Sequence, residues 1–445
     1  MQAEEALRKV MDAGVVGAGG AGFPTHVKLK CNPEVVIANC AECEPLLKVD
    51  KNVMECYPDR IVKGVAAVME MTKAPKGYIA LKEHNHKAAE IMSEAVKAYK
   101  NIEVFLLGNY YPAGDEQQIV YEVTGKVVPV GGIPLDVGAV VCNACTMYNI
   151  ANALEDKPVT KRFITVNGEV KNPMTFEAPI GTPMSLLISL AGGTVSGKLD
   201  EDYGIVIGGP MMGKVSNDFN APVTKTTSGL LVLPKNHKIL KRKTTDLETE
   251  AKVAKSVCCQ CSQCTQLCPR NLLGLNVQPH KVMRATAYGS LDAIGDGKLV
   301  FGCCDCGLCS QFVCPMGLSP SRFVTAVKQG LGKKGIRPTK TYSTGVSASR
   351  ENEKIPTSRL IARLGIDKYT SEAPLCLEPV SVNRVQIKLS QHIGAPAEPT
   401  VKVGDVVREG QLIARIPDGK LAANVHASIN GKVTDVNANY IELQG

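Results

Sequence analysis

The sequence predicts a multidomain protein of α/β and α+β modules, closed by an all-β one. Three observations point there. At 445 residues the chain exceeds one ordinary domain, so three or four modules are expected. Its composition, 44% hydrophobic and 21% charged, is that of a globular chain and not a disordered one. Ten of the seventeen cysteines crowd between residues 258 and 314, marking a module unlike the stretches on either side.

Composition also excludes several classes. Trp is absent and aromatics total 4%, which argues against base-stacking platforms and so against a nucleic-acid partner. The net charge is +8, part of it in KNHKILKRK (235–243) and LGKKGIRPTK (331–340), both read as solvated spacers. No run reaches the roughly 18 to 20 apolar residues of a membrane helix, so no transmembrane segment is expected. The opening MQAEEALRKVMDAG reads as an amphipathic helix without the apolar core of a signal peptide. A reducing, oxygen-poor cytoplasm is therefore expected, where thiols stay free for metal.

The cysteine block carries the strongest motif. Cys258, Cys261, Cys264 and Cys268 form C-x2-C-x2-C-x3-C-P, and Cys303, Cys306, Cys309 and Cys314 form C-x2-C-x2-C-x4-C-P. Three thiolates at steps of three wrap three corners of a [4Fe-4S] cube, and the Cys before Pro ligates the other cube. Cys258, Cys261, Cys264 and Cys314 are thus expected on one cluster, and Cys268, Cys303, Cys306 and Cys309 on the second. Zinc would need paired C-x2-C knuckles rather than triple steps. Cys259 and Cys304 are left over, and the segment between Cys268 and Cys303, including KVMRATAYGSLDAI, reads as helical. Cubes carry single electrons, so something else must feed them.

Residues 14–28, GVVGAGGAGFPTHVK, hold a candidate source. Gly17, Gly19 and Gly22 fit G-x-G-x-x-G, with Glu42 about 20 residues further on. A dinucleotide fingerprint needs a buried strand just before its first Gly, whereas EEALRKVMDA has helical periodicity. The Rossmann reading is set aside. A glycine-rich loop remains, whose bare amides can approach a phosphate closely.

The runs VVIANCAECEPLLKVDK (35–51), GYIALKEHNHKAAEIM (77–92), YYPAGDEQQIVYEVTGK (110–126) and PVGGIPLDVGAVVCNACTMYNIANAL (129–154) follow in that order. Together they resemble the flavin-bearing subunit of respiratory complex I, and more closely the RnfC component of Rnf ferredoxin:NAD oxidoreductases. The cobalamin reductases of propanediol-utilising microcompartments are similar over nearly the whole chain. The resemblance implies FMN phosphate and ribityl contacts from Gly17, Gly19, Gly20 and Lys28, and a flavin lining from Asn39 and Glu42. It implies Tyr111, Gly114, Asp115 and Glu116 on the nucleotide side, and Asn143 and Thr146 at the far wall. Phe23, Glu44 and Glu116 are the positions it implies for NADH. NADH gives two electrons as hydride and a cube takes one, so a flavin between them is required.

The sequence departs from the complex I pattern at Ala18, Ala41 and Cys142, where that subunit has arginine, aspartate and asparagine. The departures bring Cys40 with Cys43 and Cys142 with Cys145 toward the flavin. Reduced buried thiols are one reading; an extra iron or zinc centre on these four sulfurs is the other. His84 and His86 read as an exposed strand end.

Residues 160–235 alternate as a hairpin with an Asn-Gly turn at Asn167–Gly168, then a helix ending at Gly192. They resemble a β-grasp SLBB module. A short helix, SRLIARLG, precedes a tail similar to a biotinyl- or lipoyl-type barrel-sandwich. Its expected tip, Ala427-Ser428-Ile429-Asn430, lacks the modifiable Lys of carrier domains, so neither biotin nor lipoate is expected.

The expected modules are an FMN/NADH domain (1–158), an SLBB β-grasp domain (159–235) and a helical dicluster domain (236–335). A linker with a short helix (336–370) and a barrel-sandwich hybrid (371–445) complete the chain. The barrel-sandwich comes last, whereas it leads the RnfC component, and this order resembles the microcompartment reductase. The resemblance implies electron flow from NADH through FMN and two [4Fe-4S] clusters to a corrinoid or a corrinoid-handling enzyme. An electron-input subunit serving ferredoxin or a partner reductase is the alternative, and a redox-silent scaffold is the alternative of another class. The interior of a microcompartment, against its shell protein, or the edge of a larger complex would then be the setting.

Overall fold

The computed structural model describes residues 2–294 and 298–445. After a first helix, Ala3–Asp12, the amino-terminal module is built on a parallel sheet. Its strands are β1 (Val35–Cys40), β2 (Lys76–Lys82), β3 (Ile102–Leu107) and β5 (Ala139–Asn143), in the order β3-β2-β1-β5. Apolar β-branched residues dominate β1 and β5, as burial on both faces requires: Val36, Ile37, Ala38, Val140 and Val141 are all buried. Helices Val49–Cys56, Pro58–Thr72, His86–Ala95 and Glu116–Thr124 make the crossovers. The sheet order reverses between β1 and β5, so a crevice opens beyond their carboxyl ends.

A short pair, β4 (Tyr110–Tyr111) and β11 (Ile355–Pro356), ties the segment after the cysteine block back to this module. The second sheet is built from β6 (Lys161–Gly168), β7 (Met174–Pro179), β8 (Tyr203–Ile207), β9 (Lys214–Ser216) and β10 (Gly229–Pro234), in the order β7-β6-β10-β8-β9. Parallel pairing of β6 with β10 and a helix at Met184–Leu190 make it a β-grasp. The hairpin forms, but its turn is Glu169–Pro173 and not Asn167–Gly168. The reason is tertiary: the Asn167 amide donates to the Leu46 carbonyl, and Gly168 (φ +98) lies so close to β10 that a Cβ would strike the Val232 carbonyl.

The cysteine module is helical, with Leu247–Val257, Pro279–Tyr288 and Pro320–Lys333 as its main helices. The last domain pairs two small antiparallel sheets, one of four strands and one of three, between Arg384 and Gln444. Its tip packs inward, Ser428 Oγ donating to the Ile180 carbonyl at 2.5 Å. The second basic stretch is exposed from Lys333 to Lys340, as a solvated spacer would be, but the first is not. Lys238–Thr244 is a helix whose Arg242 reaches the Ser310 and Gln311 carbonyls and whose Lys243 reaches those of Met211 and Gly213. Lys340 pairs with Asp136 at 2.6 Å. Loop carbonyls and a carboxylate use these charges, which composition cannot foresee. No described helix is long and apolar enough to cross a membrane.

Candidate flavin and cluster sites

The glycine loop is a hairpin tip, because Val16 bridges antiparallel to Pro24 and Gly17 N–H donates to the Phe23 carbonyl at 2.9 Å. It follows a helix, as expected, and leans over the crevice at the switch point. A cleft of about 360 Å³ opens beneath it. All but one of the expected flavin and NADH positions border this cleft. The exception is Gly20, exposed at the outer turn of the loop with φ +119.

The floor comes from the strand ends. Asn39, closing β1, donates to the Gly114 carbonyl at 2.8 Å. A Cβ on Gly114 would stand 3.0 Å from Cys43 Sγ and from Ala41 Cβ, so only glycine keeps this wall open. Asn143, closing β5, caps the helix Ala144–Ala153 by accepting from Cys145 N–H at 3.0 Å. Its amide also donates to both oxygens of Asp50, at 3.1 and 3.0 Å. Thr146 Oγ1 accepts from Ala18 N–H at 2.9 Å, fastening the glycine loop to that helix end.

Glu42 holds a left-handed backbone (φ 43) and accepts from Lys51 N–H at 2.9 Å. Burial, then the nearby Asp50 charge, pushes its carboxyl up to about 8; burial also raises Asp50. Several expected ligand contacts are already engaged within the protein. Glu44, expected on the NADH side, accepts from the amides of Met211 (2.8 Å) and Met212 (2.6 Å) of the second module. Gly209 permits that grip, since a Cβ there would collide with the Glu44 carboxylate. Asp115 is held by Arg270 through two 2.7 Å bonds. Glu116 pairs with Lys28 at 2.9 Å. Phe23 is half-buried at the edge.

Sequence reasoning missed the cleft residues that come from the other modules. Arg162, Met212 and Ser228 reach in from the second module, and Cys304 and Cys306 from the cysteine module. Tyr111 O–H donates to the Cys306 carbonyl at 2.6 Å. No local pattern marks residues that meet only through domain docking.

Two small cavities lie in the cysteine module. One is bordered by Cys258, Cys261, Cys264 and Cys314, together with Cys259. The other is bordered by Cys268, Cys303, Cys306 and Cys309, together with Cys304. The crossed grouping follows from chain geometry: each Cys-Pro leaves its own loop for the start of the next segment. Eight thiols around two cavities suit two cubes. Among the described residues no three Cys, His, Asp or Glu side chains converge on a single ion. Cys40, Cys142 and Cys145 are buried in the apolar core, and burial raises all three thiols. Cys43 instead accepts from Gly114 N–H at 2.6 Å. The reduced-thiol reading fits these positions.

The glycine loop, the helix end and the switch-point crevice suit a flavin mononucleotide. Family models agree: residues 10–152 match the Nuo51 FMN-binding domain and 163–215 the SLBB domain. Residues 257–319 match a 4Fe-4S dicluster domain, and 366–444 the RnfC barrel sandwich hybrid domain. The cobalamin reductase PduS of Salmonella typhimurium is 41% identical over 447 residues, covering 100% of this chain and 97% of that protein. The Citrobacter freundii PduS is 41% identical over 98% of this chain and 95% of its own length. The RnfC-type component of the Na(+)-translocating ferredoxin:NAD(+) oxidoreductase complex of Acetobacterium woodii is 37% identical over 62% of this chain and 60% of that protein. With identity of this order over nearly the full length of both chains, and with these four module matches, the chain belongs to the PduS family of RnfC-like flavo-iron–sulfur proteins.

Proposed function

We propose that the chain is an NADH-dependent oxidoreductase whose cleft receives hydride and whose two cysteine cavities carry the electrons out singly. One observation carries this reading: Cys306 borders both the cleft and the second cavity, and Tyr111 joins the cleft wall to its carbonyl. FMN bound in the cleft would supply the step from an electron pair to single electrons, chemistry no side chain here provides.

The chain's own residues bind and orient. Gly17, Gly19 and the end of the Ala144–Ala153 helix form the phosphate corner. Asn39, Glu42 and Gly114 line the ring side. Phe23 and Glu116 stand where NADH would enter, while Glu44 braces the second module and is withdrawn from that task. The second cavity, with Cys268, Cys303, Cys306 and Cys309, takes electrons first. The first cavity is the exit, because Cys259, Cys261 and Met316 beside it are exposed.

The acceptor we assign is a corrinoid, reached through that exit, since the full-length relatives are cobalamin reductases. A protein acceptor is the second reading, favoured by charge. Residues 251–350 hold thirteen Lys and Arg against three Asp and Glu, a net +10 in a chain of net +8. Arg270 and Arg350 are buried and paired with Asp115 and Glu122, and the remaining cations attract an anionic partner.

Anaerobic NADH titration tests both. Bleaching of flavin and cluster absorbance, followed by turnover of hydroxocobalamin, is expected. Bleaching with no corrinoid turnover favours the protein acceptor. Absence of any response to NADH eliminates the oxidoreductase itself.

A further inference from the structure

The second module sends one cation into the cleft of the first. Arg162, on β6, is 4% exposed. Its Nε donates to the Thr227 carbonyl and its Nη2 to the Ala18 carbonyl, each at 2.8 Å. Its Nη1 is buried and has no hydrogen-bond partner, yet the residue borders the cleft. An orphaned guanidinium donor is costly unless something meets it.

Its surroundings say what that is. Ala18, which Arg162 grips, also donates to Thr146 in the first turn of the Ala144–Ala153 helix. Gly19 lies against the cap of that helix, where a Cβ would sit 3.4 Å from Asn143 Cβ. The glycine loop, the positive end of a ten-residue helix and an unpaired guanidinium thus share one corner. Asp50 and the Cys145 thiol also lie near this guanidinium, but Asp50 takes its two hydrogen bonds from Asn143 and burial raises the Cys145 thiol, which keeps it neutral. Ala18 offers only backbone here, and Lys28, the first module's own cation in the cleft, is paired with Glu116 at 2.9 Å, so Arg162 of the second module is the cation left with a free donor.

We propose that Arg162 is the counter-charge for the phosphate of the flavin nucleotide, supplied to the cleft by the second module. The inference rests on the flavin reading above and adds a binding residue to it. Nη1 donates to a phosphate oxygen while Nη2 holds Ala18 of the first module and Nε anchors the side chain on Thr227 of its own. Flavin retention therefore requires the β-grasp module to be docked.

Fluorescence titration of the flavin-free full chain with FMN, and with riboflavin as a phosphate-free probe, tests this. Wild type is expected to bind FMN far more tightly than riboflavin. Arg162→Gln should lower FMN affinity about 30-fold, the scale of a lost charge-assisted bond, and change riboflavin affinity less than about twofold. Arg162→Lys should keep the fold and fall between, and it decides the matter if melting shows the Gln variant unfolded. Unchanged FMN affinity, or equal losses for both flavins, overturns the proposal; equal losses would mean Arg162 only holds Ala18 and Thr227, or offsets Asp50. Wild type that binds neither flavin would instead sink the flavin reading of the cleft.

Discussion

The two cysteine cavities start from nearly the same spacing and end in opposite surroundings. The second is enclosed: its Cys306 carbonyl is tied to Tyr111, and its neighbour Arg270 is locked on Asp115 of the flavin module. The first faces outward, with Cys259, Cys261, Pro315 and Met316 exposed around it. Spacing makes a cluster site, but docking decides what the cluster touches. Burial and hydrogen bonding around the sulfurs also set potential, so the two sites are expected to differ there as well.

The comparison is broken most severely by removing one site at a time. Cys306→Ser and Cys258→Ser should each lower iron from about eight to about four atoms per chain. Their effects on the relay should differ. With Cys306→Ser, NADH bleaches flavin but no cluster signal appears; with Cys258→Ser, the second cluster still reduces and only the acceptor reaction stops. Stopped-flow absorbance and electron paramagnetic resonance read both. Rapid reduction of the remaining cluster in Cys306→Ser would reverse the assigned order.

A smaller effect sharpens the enclosed side. Arg270 and Asp115 are both buried and bonded twice at 2.7 Å. Removing one partner, as in Asp115→Asn, leaves a buried charge and should cost about 3–5 kcal/mol in denaturant unfolding. The pair replaced together by Leu and Met should recover much of that loss. If Asp115→Asn unfolds like wild type, the cavity is not braced through this pair.

The smallest expected effect is in pH. Glu42 is lifted by burial to about 8 from 4.5, so the fold keeps a proton that the unfolded chain releases. Its contribution is fully present below pH 4.5, declines as pH rises, and is lost above about 8. Melting of the flavin-free chain should therefore fall by a few degrees between pH 5 and 8. Glu42→Gln should flatten that slope; an unchanged slope places the titration elsewhere, with Asp50 the first candidate.

Much of this was legible in the chain itself. Two runs of three cysteines at steps of three, each followed by a Cys-Pro four or five residues on, indicated which thiols share a cavity, because loop geometry there is local. The helical run before Gly17 ruled out a strand-led fingerprint, and a hairpin tip stands at that place. Asn39, Gly114 and Asn143 were implied by the family resemblance, and all three border the cleft. Other features depend on partners far along the chain. Glu44 borders the cleft, yet its carboxylate also accepts from amides more than 160 residues away. The basic stretch at 235–243 looked like a spacer but holds the carbonyls of two other loops. The Asn167–Gly168 dipeptide carries a turn signal, yet pairing with β10 keeps it in the strand.

The sequence by itself determined the four modules, the crossed cysteine sets and the glycine corner, since each depends on residues close together or on a fixed spacing. Only the tertiary structure decided that the cleft is finished by Arg162 from one module and Cys306 from another. The physical reason is that domain docking, through Asp115 with Arg270, Glu44 with the Met211–Met212 amides and Tyr111 with Cys306, is written in complementary surfaces rather than in any local pattern.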